Sequence, residues 1–361
     1  MILPSFIIGL IVFIVSIPFI IYFWKFQNIA GLIGFSCFCL VGLVLWIIGI
    51  SIKGKKIHKD GIDSLSQTPF LNTDNRKLIL KLKYQVENKN KSLYIHHIID
   101  NHSINDNTIS IVMTAHNRSK QVYFALQTIS KSSFKDVHIV LVDDSTFDPI
   151  DLNIINNFQF YIDLIQINRQ YKNWKNPCVN YNIGFQYVKG SKVVIQNSEV
   201  CHVGDVLSLI EKIVTDNNYY VFDVKASLNF ETNDLIYNED LSNTTIYQKE
   251  NLFNLWYQSA SNNRNYHFLT ACTMETFKRI DGFSYDYSMG INYDDDDLVL
   301  KIKSLNIPII NIFQNEYNVG GIHLYHGSSG MNSDIDSNEQ LFNHKMNIYN
   351  ETANYIDLLN S

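Results

Sequence analysis

Two apolar runs open the chain. Residues 2–24 are almost free of polar side chains, and residues 29–52 are interrupted by little more than Ser36 and Ser51. Each run is long enough to cross a hydrocarbon core of about 30 Å. A cleaved leader has a basic start and a shorter apolar core, which this uncharged, longer run does not match. Only Lys25, Phe26, Gln27 and Asn28 lie between the runs, so the pattern predicts a transmembrane helical hairpin over 1–52. Lys53, Lys55, Lys56 and Lys59 follow it. Basic residues favour the cytoplasmic face of a bilayer. The expectation is a membrane protein with two spans and everything after them in the cytosol.

Residues 53–107 are polar and mixed, with a short helical pattern at 76–84, and read as a stalk or linker. At 108 the pattern changes. Residues 109–114, 137–142, 163–168, 192–196 and 219–224 are short runs bounded by polar residues, as buried strands are. Between them, 119–130 and 180–188 carry apolar positions at helical spacing. Strands alternating with helices predict an α/β domain over 108–330, with a mixed, mainly parallel sheet covered on both faces. The tail, 331–361, is expected to be helical from 338 to 359. In such sheets ligands bind beyond the carboxyl ends of the strands. Polar residues gather at those ends: 114–118, 143–145 and 197–199.

Composition narrows the function. The net charge is −6, which argues against nucleic acid as a partner. The five cysteines have no zinc-ligand spacing and an odd count, so they read as reduced structural thiols.

The motifs then become specific. A strand, TAHNR at 114–118, a helix, a second strand and VDDST at 142–146 stand in order. This arrangement resembles the nucleotide-binding half of inverting family 2 glycosyltransferases with the GT-A fold. The resemblance extends from 108 to about 327. It implies that Thr114, Ala115, Asn117, Arg118, Asp143 and Asp144 wrap the nucleotide, with a strand-end carboxylate accepting hydrogen bonds from base or ribose. NYNIGFQYVKG at 180–190 resembles the family's asparagine-x-glycine helix, which brings in Asn182. The arginine usual before that asparagine is Tyr181 here.

The family places two aspartates, one residue apart, at the end of the next strand to hold a divalent ion. The matching positions are Asn197 and Glu199, an amide and a carboxylate. Both offer hard oxygen ligands suited to Mg2+ or Mn2+, with one negative charge fewer. About thirty residues after the acidic segment described next, GIHLYHG at 321–327 supplies His323 or His326 for the histidine that similar enzymes add to the metal site.

The segment 267–302 resembles the acceptor side of the same enzymes, including animal galactosyltransferases. A glycine-phenylalanine turn at Gly282 and Phe283 leads through Gly290 to Asp294, Asp295, Asp296 and Asp297. The resemblance makes Asp295 the general base, with Asp294 its rival. Four adjacent carboxylates repel one another, so at least one should titrate high. An acidic helix start would explain one or two of them, and Asp296 and Asp297 are expected to cap that helix, with Asp296 close enough to orient the acceptor. Trp256, Tyr257 and His267 precede the segment. Trp256 and Tyr257 are candidates for stacking on acceptor sugar. Asp205 reads as a helix cap.

The resemblance therefore implies metal-assisted transfer of a sugar from a nucleotide sugar, UDP-linked first, to a glycan, lipid-linked or protein acceptor. A catalytically degenerate binder is the alternative motivated by Asn197. A nucleotidyltransferase would need a glycine-rich phosphate loop, and residues 114–120 contain no glycine.

Overall fold

The computed structural model describes residues 73–254, 260, 264–327 and 335–360. They belong to one compact unit, Phe70–Ser361. The hairpin expected over 1–52, the first part of the expected stalk, Trp256 and Tyr257 lie outside the described residues. No described helix is long and apolar enough to cross a membrane.

Twelve strands are found among the described residues: β1 (Tyr94–Asp100), β2 (Ile109–Ala115), β3 (Val137–Asp143), β4 (Tyr161–Ile167), β5 (Lys192–Gln196), β6 (Val200–Val203), β7 (Tyr219–Phe222), β8 (Val224–Ser227), β9 (Phe253–Asn254), β10 (Leu269–Thr273), β11 (Ile309–Ile312) and β12 (Gly320–His323). The helices longer than two turns or flanking the site are α1 (Thr73–Glu87), α2 (Ser119–Ser130), α3 (Cys178–Phe185), α4 (Val206–Ile213), α5 (Phe230–Ile236), α6 (Met274–Ile280), α7 (Asp294–Ser304) and α8 (Ile335–Asn360). One sheet has eight strands in the order β1-β4-β3-β2-β5-β10-β7-β11, and a second has four in the order β6-β12-β8-β9.

Strands β4, β3, β2 and β5 run parallel, so their carboxyl ends share one edge. Their residues are buried on both faces, which is why they read as continuous apolar runs rather than alternating ones. β10 is antiparallel to β5 and β7, which makes the sheet mixed. Ile111, Met113, Ile139, Leu141 and Leu126 pack on one face, and Val112, Val140, Ile183 and Phe283 on the other. Helix α3 approaches the second face closely. A Cβ at Gly184 would stand 2.8 Å from Val112 Cγ1, so this helix position has room for no side chain.

The segment read as a stalk is corrected from residue 73 onwards. Helix α1 buries Ile79, Leu82 and Val86, and β1 pairs antiparallel with β4 as an edge strand. The sequence pattern hid this because an edge strand with one wet face carries His96 and His97 among its apolar residues. Helix α8 forms in the tail and buries Leu341, Asn338 and Lys345 against the domain. Cys178, Cys201 and Cys272 are free and buried.

At the amino ends of the parallel strands lies a buried polar chain. Ser110 Oγ is 2.9 Å from His138 Nδ1, and His138 Nε2 is 2.8 Å from Asp163 Oδ2. His96 Nε2 approaches Asp163 Oδ1 at 2.7 Å, and Lys189 completes the cluster. The order is that of a nucleophile relay. Yet Ser110 is wholly buried, and its oxygen accepts the backbone N–H groups of Gly190 at 2.8 Å and Lys189 at 3.2 Å. The chain is a brace between strands. Burial alone would raise the Asp163 carboxyl, but His138, Lys189 and His96 outweigh it and hold it at about 2.

A depressed carboxylate adds stability above its unfolded value near 3.8 and loses it as pH falls toward 2. Asp163→Asn should cost about 2–3 kcal/mol at pH 7 in urea unfolding, with the gap to wild type closing between about pH 4 and pH 2. Equal midpoints at pH 7 would contradict this assignment.

Candidate active site

The first group of residues sits where β2 and β3 end. Asn117 takes a left-handed φ of 53° and folds its loop back on the next one. Its Oδ1 accepts the N–H groups of Thr146 at 2.7 Å and Phe147 at 3.1 Å. Asp143 accepts from the N–H of Ser145 at 3.0 Å and of Ile150 at 2.9 Å. Both side chains therefore shape the loops. Asp144 is different. It is 5% exposed and receives Arg169 Nη1 at 2.9 Å, Asn180 Nδ2 at 3.2 Å and Lys172. Arg169 and Lys172 just after β4, and Asn180 on α3, were not anticipated. Ala115 is buried, its carbonyl accepting the Asp144 N–H at 2.8 Å.

Asn182 pairs with the backbone of Phe283. Its Nδ2 donates to Phe283 O at 2.8 Å, and its Oδ1 accepts Phe283 N–H at 2.9 Å. Gly282, at φ 63°, makes the turn that allows this pairing. The asparagine-x-glycine pair thus packs α3 on the sheet and anchors the turn leading to the acidic residues. Tyr181 lies beside it, donating to Gln196 O at 3.0 Å and Asn197 Oδ1 at 3.3 Å, with Thr114 against its hydroxyl.

The second group forms where the two sheets meet. Glu199 lies between β5 and β6, and β12 pairs antiparallel with β6 so that His323 stands opposite Val200. That register brings the His323 ring beside the carboxylate. Glu199 Oε1 is 2.5 Å from Arg118 Nη1, 3.0 Å from His323 Nε2 and 3.3 Å from His326 Nε2. Ser198 Oγ donates to the other oxygen at 3.0 Å. Glu199 is 1% exposed. Burial would raise its carboxyl, but Arg118 and the two histidines hold it well below the usual range. Burial pushes His326 down to about 4, so its imidazole is neutral at pH 7 and presents a lone pair.

One carboxylate and two imidazoles, with ligand atoms within 4.8 Å of one another, make a donor set that fits a divalent transition ion such as Mn2+. Arg118 and an ion would compete for the same Oε1. Asn197 stands at the end of β5 with its amide oxygen turned to Tyr181. His202 and Asp205 lie apart. His202 Nε2 bonds to Gln196 Oε1 at 2.9 Å, and Asp205 caps α4.

The third group opens α7. All four aspartates lie in its first turn, after Asn292 and Tyr293 at φ 64° and 65°. Tyr293 is the cap residue and makes no side-chain cap bond, so the expectation that Asp296 and Asp297 cap the helix is corrected. Each carboxylate has its own partner. Asp294 accepts Asn176 Nδ2 at 3.0 Å. Asp295 lies 2.5 Å from His267 Nδ1, an ion-pair separation without hydrogen-bond alignment. Asp296 accepts the Tyr266 hydroxyl at 2.7 Å. Asp297 accepts Lys345 Nζ at 2.9 Å and the Tyr287 hydroxyl at 3.1 Å. Burial, followed by the charge of Asp295, raises Asp294 to about 7. Asp296 is raised as well, again by burial first. The Tyr181 hydroxyl reaches Asn197 Oδ1 and its ring meets His267, which pairs with Asp295, so the second and third groups are joined through these two rings.

Residues 110–272 match the family model Glycosyl transferase family 2. This stretch is similar to the glycosyltransferase family 2 domain. No curated protein matches the chain. Among solved structures, S. aureus TarS is 15% identical with a TM-score of 0.43, covering 60% of this chain and 37% of its own. TarS 1-349 in complex with UDP-GlcNAc is 14% identical, TM-score 0.42, covering 63% and 61%. Mannosyltransferase PcManGT from Pyrobaculum calidifontis, in complex with GDP-Man and Mn2+, is 12% identical, TM-score 0.40, covering 70% and 65%. The chain thus spans less than two thirds of each of these relatives.

The acidic helix lies beyond the matched residues of the family 2 domain, and β10, which ends the match, ties it to β5. The cluster around Glu199 generates a direct test. Mn2+ titrated into the protein should bind, and Glu199→Gln or His323→Ala should weaken binding by roughly tenfold or more in calorimetry. Unchanged affinity in both variants would place the ion elsewhere.

Proposed function

We propose that this protein transfers a sugar from a nucleotide-diphosphate sugar, with UDP-sugars foremost, to an acceptor hydroxyl with inversion at the anomeric carbon. The observation that carries the reading is the link from the end of β5 to Asp295 through Tyr181 and His267, at the carboxyl edge of a family 2-like domain. Asp144, held by Arg169, Lys172 and Asn180, would face the nucleoside at the ends of β3 and β4. Thr114, beside the Tyr181 hydroxyl, and Arg118, beside Glu199, would line the path from that loop to the diphosphate.

Glu199, His323 and His326 would hold a divalent ion, Mn2+ or Mg2+, with Asn197 alongside. When bound, the ion supplies Lewis-acid stabilisation of the diphosphate charge. Arg118 adds a fixed positive charge at the same place. Asp295 takes the proton from the acceptor hydroxyl as its oxygen bonds to the anomeric carbon, and the bond to the departing nucleoside diphosphate breaks on the opposite face. Asp296 and Tyr266 form a wall on the acceptor side. The acceptor is a glycan, a lipid-linked molecule or a protein. The apolar runs at 2–24 and 29–52 support anchoring in a membrane, with the lysines after them favouring a cytosolic catalytic domain.

The reading is tested with a panel of UDP- and GDP-sugars in the presence of Mn2+. Transfer or slow hydrolysis is expected with at least one donor. Asp295→Asn should lower kcat by about 10²–10⁴ with donor KM little changed. Asp144→Ala should act mainly on donor KM. No turnover with any donor, together with retained sugar-nucleotide binding, would leave a binding protein in place of an enzyme.

A further inference from the structure

The acidic turn raises a question of charge that the transfer reading leaves open. Four carboxylates share one helical turn, and the one assigned as base has to stay ionised beside the others. Three are accounted for. Asp297 is paired with Lys345, which reaches it from α8. Asp296 accepts from Tyr266, with Arg264 nearby. Asp294 is enclosed against Asn176 and is raised by burial and by Asp295. The remaining partner is His267, which is 5% exposed and lies 2.5 Å from Asp295.

His267 is held rigidly for this. Its ring meets Tyr181 at 4.9 Å and 88°, and Phe283 at 4.9 Å and 71°. The next residue, Phe268, accepts the Asn197 N–H at 3.2 Å through its carbonyl, and β10 then runs beside β5. The backbone next to 267 is thereby tethered to the end of β5.

We propose that His267 is a positioning residue for transfer: a ring clamped by Tyr181 and Phe283 that holds the Asp295 carboxylate in place through their close pairing. The proposal rests on the reading of Asp295 as the base. The groups facing this pair are Asp294 and Asp296 on α7, Tyr266 and Arg264 before β10, Tyr181 on α3 and Glu199 after β5. Burial pulls the imidazole down, but the charge and contact of Asp295 outweigh it and raise His267 above its ordinary value. A cation beside a carboxylate lowers the carboxylate, so removing it moves the carboxylate up.

The test compares His267→Phe, which keeps a ring between Tyr181 and Phe283, with His267→Asn, which keeps a donor near the place of Nδ1. In the full-length protein, His267→Phe should lower kcat by roughly tenfold to a hundredfold and move the acid limb of the kcat/KM profile up by about one pH unit or more. Donor KM should stay close to wild type. His267→Asn should recover part of kcat while the acid limb remains shifted. An unmoved acid limb in both variants, or a change in donor KM alone, would overturn the proposal. If His267→Phe fails to fold, the acid limb of His267→Asn decides by itself. Asp295→Asn separates the two levels: retained kcat there removes the base assignment, whereas loss of kcat with an unmoved limb in the His267 variants removes only this inference.

Discussion

The architecture of the site depends on one buried carboxylate. Glu199 lies where the eight-stranded sheet hands the chain to the four-stranded one, and an ionised group this enclosed is costly without partners. Its partners come from two distant stretches: Arg118 from the loop after β2, and His323 and His326 from the end of β12 and just beyond it. Satisfying Glu199 therefore fixes the first loop, the sheet junction and the C-terminal part of the domain relative to one another. The acidic helix joins this centre through Tyr181 and His267, whose rings meet edge to face.

A second constraint acts on the acidic turn. Its four carboxylates are tolerated because each meets a different neighbour, and those neighbours come from the turn before α3, the segment before β10, and α8 rather than from α7 itself. Lys345 shows that the tail is part of this arrangement. It is buried, pairs with Asp297 and lies 4.6 Å from the Tyr287 ring. Asn338 in the same helix donates to Tyr287 O at 3.2 Å and Asn292 O at 3.0 Å, holding the turn before the aspartates. The left-handed Tyr293 is kept in its disfavoured conformation by these contacts.

The parallel strands were legible in the sequence because strands buried on both faces are short apolar runs with polar ends. The edge strand β1 was not, since its wet side mixes histidine into the pattern. Asp144, Glu199 and the acidic turn were legible as polar residues at strand ends or in a recognisable segment. Their partners were not. Arg169 and Lys172 are ordinary basic residues until β4 is placed beside β3, although a basic pair just past a parallel strand is a usable signal. His323 reaches Glu199 only through the pairing of β12 with β6, across more than a hundred residues. Asn182 and Asp143 tie down turns and loops here, and an amide or carboxylate that does so has the same letter as one that meets a ligand.

In the proposed transfer centre, Glu199, His323 and His326 form the cation end and Asp295 the other. Anomalous diffraction from crystals grown with Mn2+ and UDP tests it most directly. The expected result is one manganese peak in contact with Glu199 Oε1 and at least one of the two histidines, with Arg118 displaced from that oxygen and the diphosphate on the side facing Asp295. A peak at the acidic turn, or UDP bound away from Asp144 with Arg118 still on Glu199, would contradict it.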